Sequence, residues 1–108
     1  MFNMSIQEVD AFGLQQMRSQ GEVVLIDVRT DAEFAQGSIQ GAKHTPLHMI
    51  PLVADQLDNE KPIIIICRSG ARSAKACAFL ASKGFANVYN LRGGVIGWAQ
   101  AGMTLAAA

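Results

Sequence analysis

The sequence predicts an α/β fold in which a parallel sheet is covered by helices on both faces. Val23-Val24-Leu25-Ile26 and Ile63-Ile64-Ile65-Ile66 are unbroken runs of large apolar residues, which suits strands buried on both sides. Segments of helical periodicity lie between them, and Val88 to Leu91 forms a third, shorter candidate strand.

The first helix is expected from about Ile6 to about Ser19. Ser5-Ile6-Gln7-Glu8 has capping-box spacing, Ile6, Val9, Gly13 and Met17 follow at helical intervals, and Gly21 supplies a stop. After the first apolar run, Thr30-Asp31-Ala32-Glu33 repeats the capping box and Gly37 ends a short helix of about two turns. Ala42 to Thr45 reads as a short strand. Pro51, which needs no amide donor at a first helical position, opens a helix running toward Leu57. The next helix spans Ser73 to Lys83, closed by Gly84, with Ala74, Cys77, Ala78 and Ala81 as a stripe of small residues facing the sheet. The last runs from about Gly94 to Gln100, and the Ala-rich tail beyond about Gly102 is expected to fray.

At 108 residues, half of them apolar, the chain is read as one domain, residues 1–108, with its core from about residue 5 to 102. Nine Lys and Arg balance nine Asp and Glu, so no large field of one sign steers a polyanion, and neither nucleic acid nor a membrane surface is expected as a partner. Met1-Phe2-Asn3-Met4-Ser5 lacks the basic start and apolar run of a secretory signal, and a cytoplasmic monomer is expected. Two cysteines are too few for a disulfide framework and lack the paired spacing of a zinc site.

Ligands of parallel sheets bind beyond the carboxyl ends of the strands. That rule selects Asp27-Val28-Arg29, Cys67 to Arg72, and Arg92-Gly93-Gly94. In the second, a cysteine leaves a buried strand and Arg68, Ser69, Gly70, Ala71 and Arg72 follow before a helix begins. A loop that short must curl, turning successive amides inward as an anion-binding nest at a helix N-terminus, with Gly70 supplying the backbone freedom. Those amides, with Arg68 and Arg72, would favour the thiolate, the nucleophilic form of cysteine.

Cys67-Arg68-Ser69-Gly70-Ala71-Arg72-Ser73 resembles the active-site loop of the rhodanese-like domain family. Asp27-Val28-Arg29, Glu33-Phe34, Gly37-Ser38-Ile39-Gln40-Gly41-Ala42, Pro46, and Leu91-Arg92-Gly93-Gly94 with Trp98 match the family's pattern in order, from about Val23 to Trp98. The resemblance implies a five-stranded parallel sheet flanked by helices. It also implies a sulfurtransferase in which Cys67 takes sulfane sulfur from a donor such as thiosulfate, becomes a persulfide, and passes the sulfur to cyanide, a thiol or a protein acceptor, without metal or organic cofactor. Arg68, Ser69, Gly70, Ala71, Arg72 and Ser73 would then bind substrate, supported by Asp27 and Arg29. Ser38 departs from the family's frequent His, and His44 stands near a position where Asn is commoner; both are expected to affect local support only.

Other readings compete at several positions. A merely buried Cys67 conflicts with its Arg, Ser, Gly and Arg neighbours, which are poor core material. For Cys77 burial against the sheet is the stronger reading, over a resolving thiol. One of Arg68 and Arg72 is expected to be a plain surface charge, and Asp27 with Arg29 is as readily a bracing ion pair as a substrate contact. His44 and His48 are read as structural rather than as a base for Cys67, and Trp98, Phe34 and Phe79 as core. A phosphatase is disfavoured because four residues separate Cys67 from Arg72, one fewer than in the phosphatase signature. A persulfide carrier or regulatory module exchanging sulfur only with a dedicated partner, such as a small sulfur-carrier protein, shares the same cysteine and loop.

Overall fold

A computed structural model describes residues 6–107. Among these, five strands form one parallel sheet: β1 (Glu8–Val9), β2 (Val24–Asp27), β3 (Lys43–His44), β4 (Ile63–Ile66) and β5 (Val88–Leu91), in the spatial order β1-β5-β4-β2-β3. The helices are α1 (Ala11–Gln20), α2 (Asp31–Ala35), α3 (Ile50–Val53), α4 (Ala71–Ser82) and α5 (Gly94–Gln100), with single 3-10 turns at Leu47–Met49 and Ala54–Gln56 on either side of α3.

The predicted parallel sheet follows from the position of β4. It pairs with β2 from Val24↔Ile63 to Asp27↔Ile66 and with β5 from Ile63↔Val88 to Ile65↔Asn90, so its four isoleucines are covered on both faces. Side chains alternate across a strand. Ile63 and Ile65 therefore join Ile26, Val28 and Val88 under Ile50 and under Ala76, Cys77 and Leu80 of α4. Ile64 and Ile66 join Leu25 and Leu91 under Ala11 and Leu14 of α1 and Val95 and Trp98 of α5. Each isoleucine so buried stabilises the fold by about 2 kcal/mol.

Four expectations need correction. The chain before α1 is not helical. Glu8 and Val9 extend to pair with Asn90 and Leu91, Asn90 and Arg92 donate to the carbonyls of Gln7 and Val9, and the helix starts at Ala11, capped by Asp10, whose Oδ1 accepts from Gly13 N at 2.8 Å. Sheet pairing along the β5 edge outweighs local helical periodicity here; Ser5, the expected cap, lies outside the described residues. Second, the buried stripe of α4 is Ser73, Ala76, Cys77 and Leu80; Cys77 is buried as expected, while Ala74 is half-buried and Ala78 and Ala81 are exposed, so the helix is rotated about Cys77 from the expected face. Leu80 gains more from burial than an alanine does. Third, the helix expected from Pro51 to Leu57 is broken into α3 and a 3-10 turn, and Pro51 sits second in α3. Finally, the tail does not fray before Ala106: Ser38 and Ala106 exchange backbone hydrogen bonds of 3.0 and 2.7 Å, and Trp98 Nε1 donates to Thr104 O at 2.9 Å. The second capping box forms in full, Thr30 Oγ1 accepting from Glu33 N and Glu33 from Thr30 N.

No described helix is long and apolar enough to cross a membrane.

Candidate active site

β4 ends at Ile66 and the chain turns at once through Cys67-Arg68-Ser69-Gly70 into α4. The turn is tight because Gly70 takes a φ of 109°, a region open to glycine and costly for other residues, and so places its amide toward the cysteine. Gly70 N donates to Cys67 Sγ at 3.0 Å and Ser73 Oγ approaches the same sulfur at 3.2 Å. Burial would raise the thiol pKa, yet the Ser73 hydroxyl and the amides of Ser73, Gly70 and Ser69 outweigh it and leave Cys67 lowered from its ordinary 9.0. The N-terminus of α4 adds positive potential at this point.

Cys67 is 1 % exposed. It lies at the edge of the core under α4, but its sulfur meets the polar lining of its own loop. The loop is held from behind by α5: Val95 N and Ile96 N donate to the carbonyls of Cys67 and Arg68 at 2.9 and 3.1 Å. Arg92-Gly93-Gly94, the third place the carboxyl-end rule selects, leads directly into these two donors, and Gly94 packs against the same two carbonyls.

The two arginines part company. Arg68 is exposed and, with Arg29, Glu33, Val95, Ile96 and Leu105, lines a groove of about 290 Å3 beside the loop. Arg72 makes a two-pronged pair with Glu33, Nη1 to Oε1 at 2.7 Å and Nη2 to Oε2 at 2.8 Å, so its fork is spent on α2, although its charge still reaches Cys67. Ser69 and Ala71 have exposed side chains.

Asp27 and Arg29 are the bracing pair. Arg29 Nε lies 3.0 Å from both Asp27 oxygens, and its Nη2 reaches Asp27 Oδ2 and Gly37 O, each at 2.7 Å. Ser38 Oγ adds 2.6 Å to Asp27 Oδ2, which is the local support expected of that departure. His44 is also structural: its ring stacks on Phe34 with centroids 4.5 Å apart, and its Nε2 lies 2.8 Å from Arg29 O, which accepts.

Two participants escaped the sequence reading. Asn90 sits in β5 with its Oδ1 hydrogen-bonded by the Ser73 hydroxyl and its Nδ2 donating to Gly70 O at 3.0 Å. A lone polar residue at the inward parity of an apolar strand was the available signal. Glu33, read as a cap alone, also fixes Arg72.

The profile described as "Rhodanese: Rhodanese-like domain" matches residues 11–101. The chain belongs to the rhodanese-like domain family. Among proteins similar to this rhodanese-like chain, a "Sulfurtransferase" of Allochromatium vinosum is 44% identical over 94% of this chain and 96% of its own length. A "Thiosulfate sulfurtransferase GlpE" of Ectopseudomonas mendocina is 39% identical over 78% of this chain and 76% of its own. The crystal structure of a rhodanese-like domain protein from Staphylococcus aureus superposes with a TM-score of 0.83 at 30% identity, covering 95% of this chain and 99% of that one. The five-stranded sheet expected from the resemblance and membership of the rhodanese-like sulfurtransferase family are thereby shown.

Two measurable consequences follow from the electrostatics of this rhodanese-like site. Burial pushes the Cys77 thiol up to about 12, while Cys67 lies below 9.0. At pH 8 iodoacetamide should therefore label Cys67 ahead of Cys77 by about a thousandfold or more, since reaction follows the thiolate fraction; peptide mapping showing equal labelling would contradict the geometry. The Arg72 guanidinium, helped by the Thr30 amide, holds Glu33 down at about 2 against an ordinary 4.5. A lowered carboxylate contributes stability that is full above the unfolded value and is lost as pH falls toward the folded one. Glu33→Gln is thus expected to cost about 1 kcal/mol near neutral pH, a modest value because the pair is partly solvated, and the gap from the native chain in denaturant melts should close between about pH 5 and pH 2.

Proposed function

We propose that this sulfurtransferase carries sulfane sulfur as a persulfide on Cys67, with thiosulfate as a competent donor. The observation that supports this most is the ring of donors on a single sulfur, Gly70 N at 3.0 Å and Ser73 Oγ at 3.2 Å with the Ser69 and Ser73 amides beside them. Such a ring favours the thiolate and, after transfer, accommodates one further sulfur carrying the negative charge. The Cys67 thiolate attacks the outer sulfur of thiosulfate; the S–S bond breaks and its electron pair leaves with sulfite. A thiolate or cyanide then attacks the outer sulfur of the persulfide, the new S–S bond breaks, and the Cys67 thiolate is regenerated. The protein undergoes no net oxidation. Exposed Arg68 supplies positive charge where an anionic donor would approach. The name of the Ectopseudomonas mendocina relative points to the same donor. Two unpaired cysteines also suit a reducing compartment, and with the neutral charge balance we place the chain in the cytoplasm as a monomer.

The test combines mass and turnover. Thiosulfate should add about 32 Da to the intact chain, one sulfur on the best nucleophile it has, and cyanide should remove it with release of thiocyanate. No adduct, or an adduct mapping to Cys77, would reject the reading. An adduct that cyanide leaves untouched but a small carrier protein discharges would favour the dedicated-carrier reading instead.

A further inference from the structure

We propose that Asn90 is a positioning residue that directs the hydroxyl proton of Ser73, holding it while Cys67 is a thiol and yielding it to the sulfur when the sulfur is anionic. The inference rests on Cys67 as the reacting sulfur but concerns its protonation, which can be measured without turnover.

Asn90 is 4 % exposed, and its amide orientation is fixed by its neighbours. Nδ2 lies 3.0 Å from Gly70 O and 3.5 Å from Glu8 Oε2, and both groups only accept. Oδ1 is therefore the atom facing Ser73, and it can only accept as well. Ser73, fully buried, has one hydroxyl proton and two claimants on it, Asn90 Oδ1 and Cys67 Sγ. With Cys67 as a thiol the chain is complete: S–H donates to Ser73 Oγ and O–H to Asn90 Oδ1. When the thiol loses its proton to solvent, an anionic sulfur within 3.2 Å competes for the hydroxyl, and turning it inward strips Asn90 Oδ1 of its only side-chain donor. Among the described residues no fully buried side-chain polar atom lacks a partner, so that loss would be a new cost. Ser73 thus promotes ionisation and Asn90 restrains it. When the outer sulfur of a persulfide takes over the negative charge, Cys67 Sγ becomes a weak acceptor and Asn90 regains the proton. The hydroxyl would therefore swing once in each half-reaction.

Other charged or titratable groups around Cys67 are disposed as follows. Arg72 and Cys77 come from α4, Arg68 from the loop, Asp27 from the end of β2 with Arg29 just beyond it, and Glu8 from β1, this last through Asn90. None of them accepts the Ser73 proton.

The experiment is the pH dependence of iodoacetamide alkylation at Cys67 in Asn90→Leu, Ser73→Ala and the double variant, with Asn90→Ala in parallel should the leucine prevent folding. Asn90→Leu frees the hydroxyl for the sulfur and should lower the midpoint by about one pH unit, a tenfold gain in thiolate fraction below it. Ser73→Ala should raise it. In the Ser73→Ala background the downward shift should disappear, because Asn90 restrains ionisation only through the hydroxyl; its other bond, Nδ2 to Gly70 O, steadies an amide that donates to the sulfur, so losing that bond can only raise the midpoint. In the native chain the side-chain carbonyl 13C resonance of Asn90 should titrate with the Cys67 midpoint. An Asn90→Leu midpoint that stays or rises, a further downward shift in the double variant, or an Asn90 resonance indifferent to the titration would overturn the proposal. Absence of the thiosulfate adduct from the native chain, with these midpoints as expected, would instead count against the sulfur-carrier reading.

Discussion

Cys67→Ser should abolish both the thiosulfate adduct and thiocyanate formation, a loss of about a thousandfold or more, since a serine hydroxyl is not ionised near neutrality and cannot hold sulfane sulfur. The variant tests chemistry rather than folding. Oxygen replaces sulfur in a site lined by Gly70 N and Ser73 Oγ, both able to donate to a hydroxyl, so the melting temperature should change little. Cys77→Ala is the matching control: its sulfur is buried against the sheet and its thiol is held protonated, so transfer should persist, with stability lower by about 1 kcal/mol for the lost sulfur. Residual turnover in Cys67→Ser, or its loss in Cys77→Ala while the fold persists, would move the chemistry to the other cysteine.

Gly94→Ala is expected to be the most damaging substitution outside the loop. Gly94 has a φ of 57°, and a Cβ there would meet the carbonyl oxygens of Cys67 and Arg68 at 2.4 and 2.5 Å. These are backbone atoms, and the next two residues donate to those same carbonyls, so relief of the clash must pull α5 away from the loop. The left-handed backbone costs an alanine about 1–2 kcal/mol and overpacking about 1–3 more. A fall in Tm of more than about 10 °C follows for a domain of this size. Gly84→Ala separates the two costs, for Gly84 also has a positive φ of 98° but nothing within 4 Å, and only the smaller loss should appear. Where Gly94→Ala still folds, alkylation of Cys67 should need a higher pH, because the carbonyls that orient the ring have lost their anchors. Equal Tm values for the two glycine variants would mean that α5 does not clamp the loop.

How much of this was legible in the chain divides by the range of the interactions. The isoleucine run of β4 and the second capping box are local signals, and both elements formed where they were read. The cysteine, its glycine and the helix behind them are contiguous, so the ring could be anticipated from sequence and family resemblance. Glu8 and Val9 misled because their helical periodicity is real locally, while the β5 edge that claims them lies some eighty residues later. The pairing of Arg72 was illegible for a similar reason: nothing within the loop announces Glu33 as its partner. Asn90 stayed hidden because its value depends on which face of β5 meets Ser73, a matter of register rather than of neighbours along the chain.

The pairing of β1 with β5 bears on how the molecule matures. Glu8 touches Asn90, Asn90 touches Ser73, and Ser73 touches the sulfur, so the earliest strand supplies the outermost link to a nucleophile made much later in synthesis. During translation that strand has no edge to join until β5 has left the ribosome, and closing so long a loop belongs among the slower steps. The thiol would acquire its finished reactivity only once β5 has joined the sheet and β1 has closed over it.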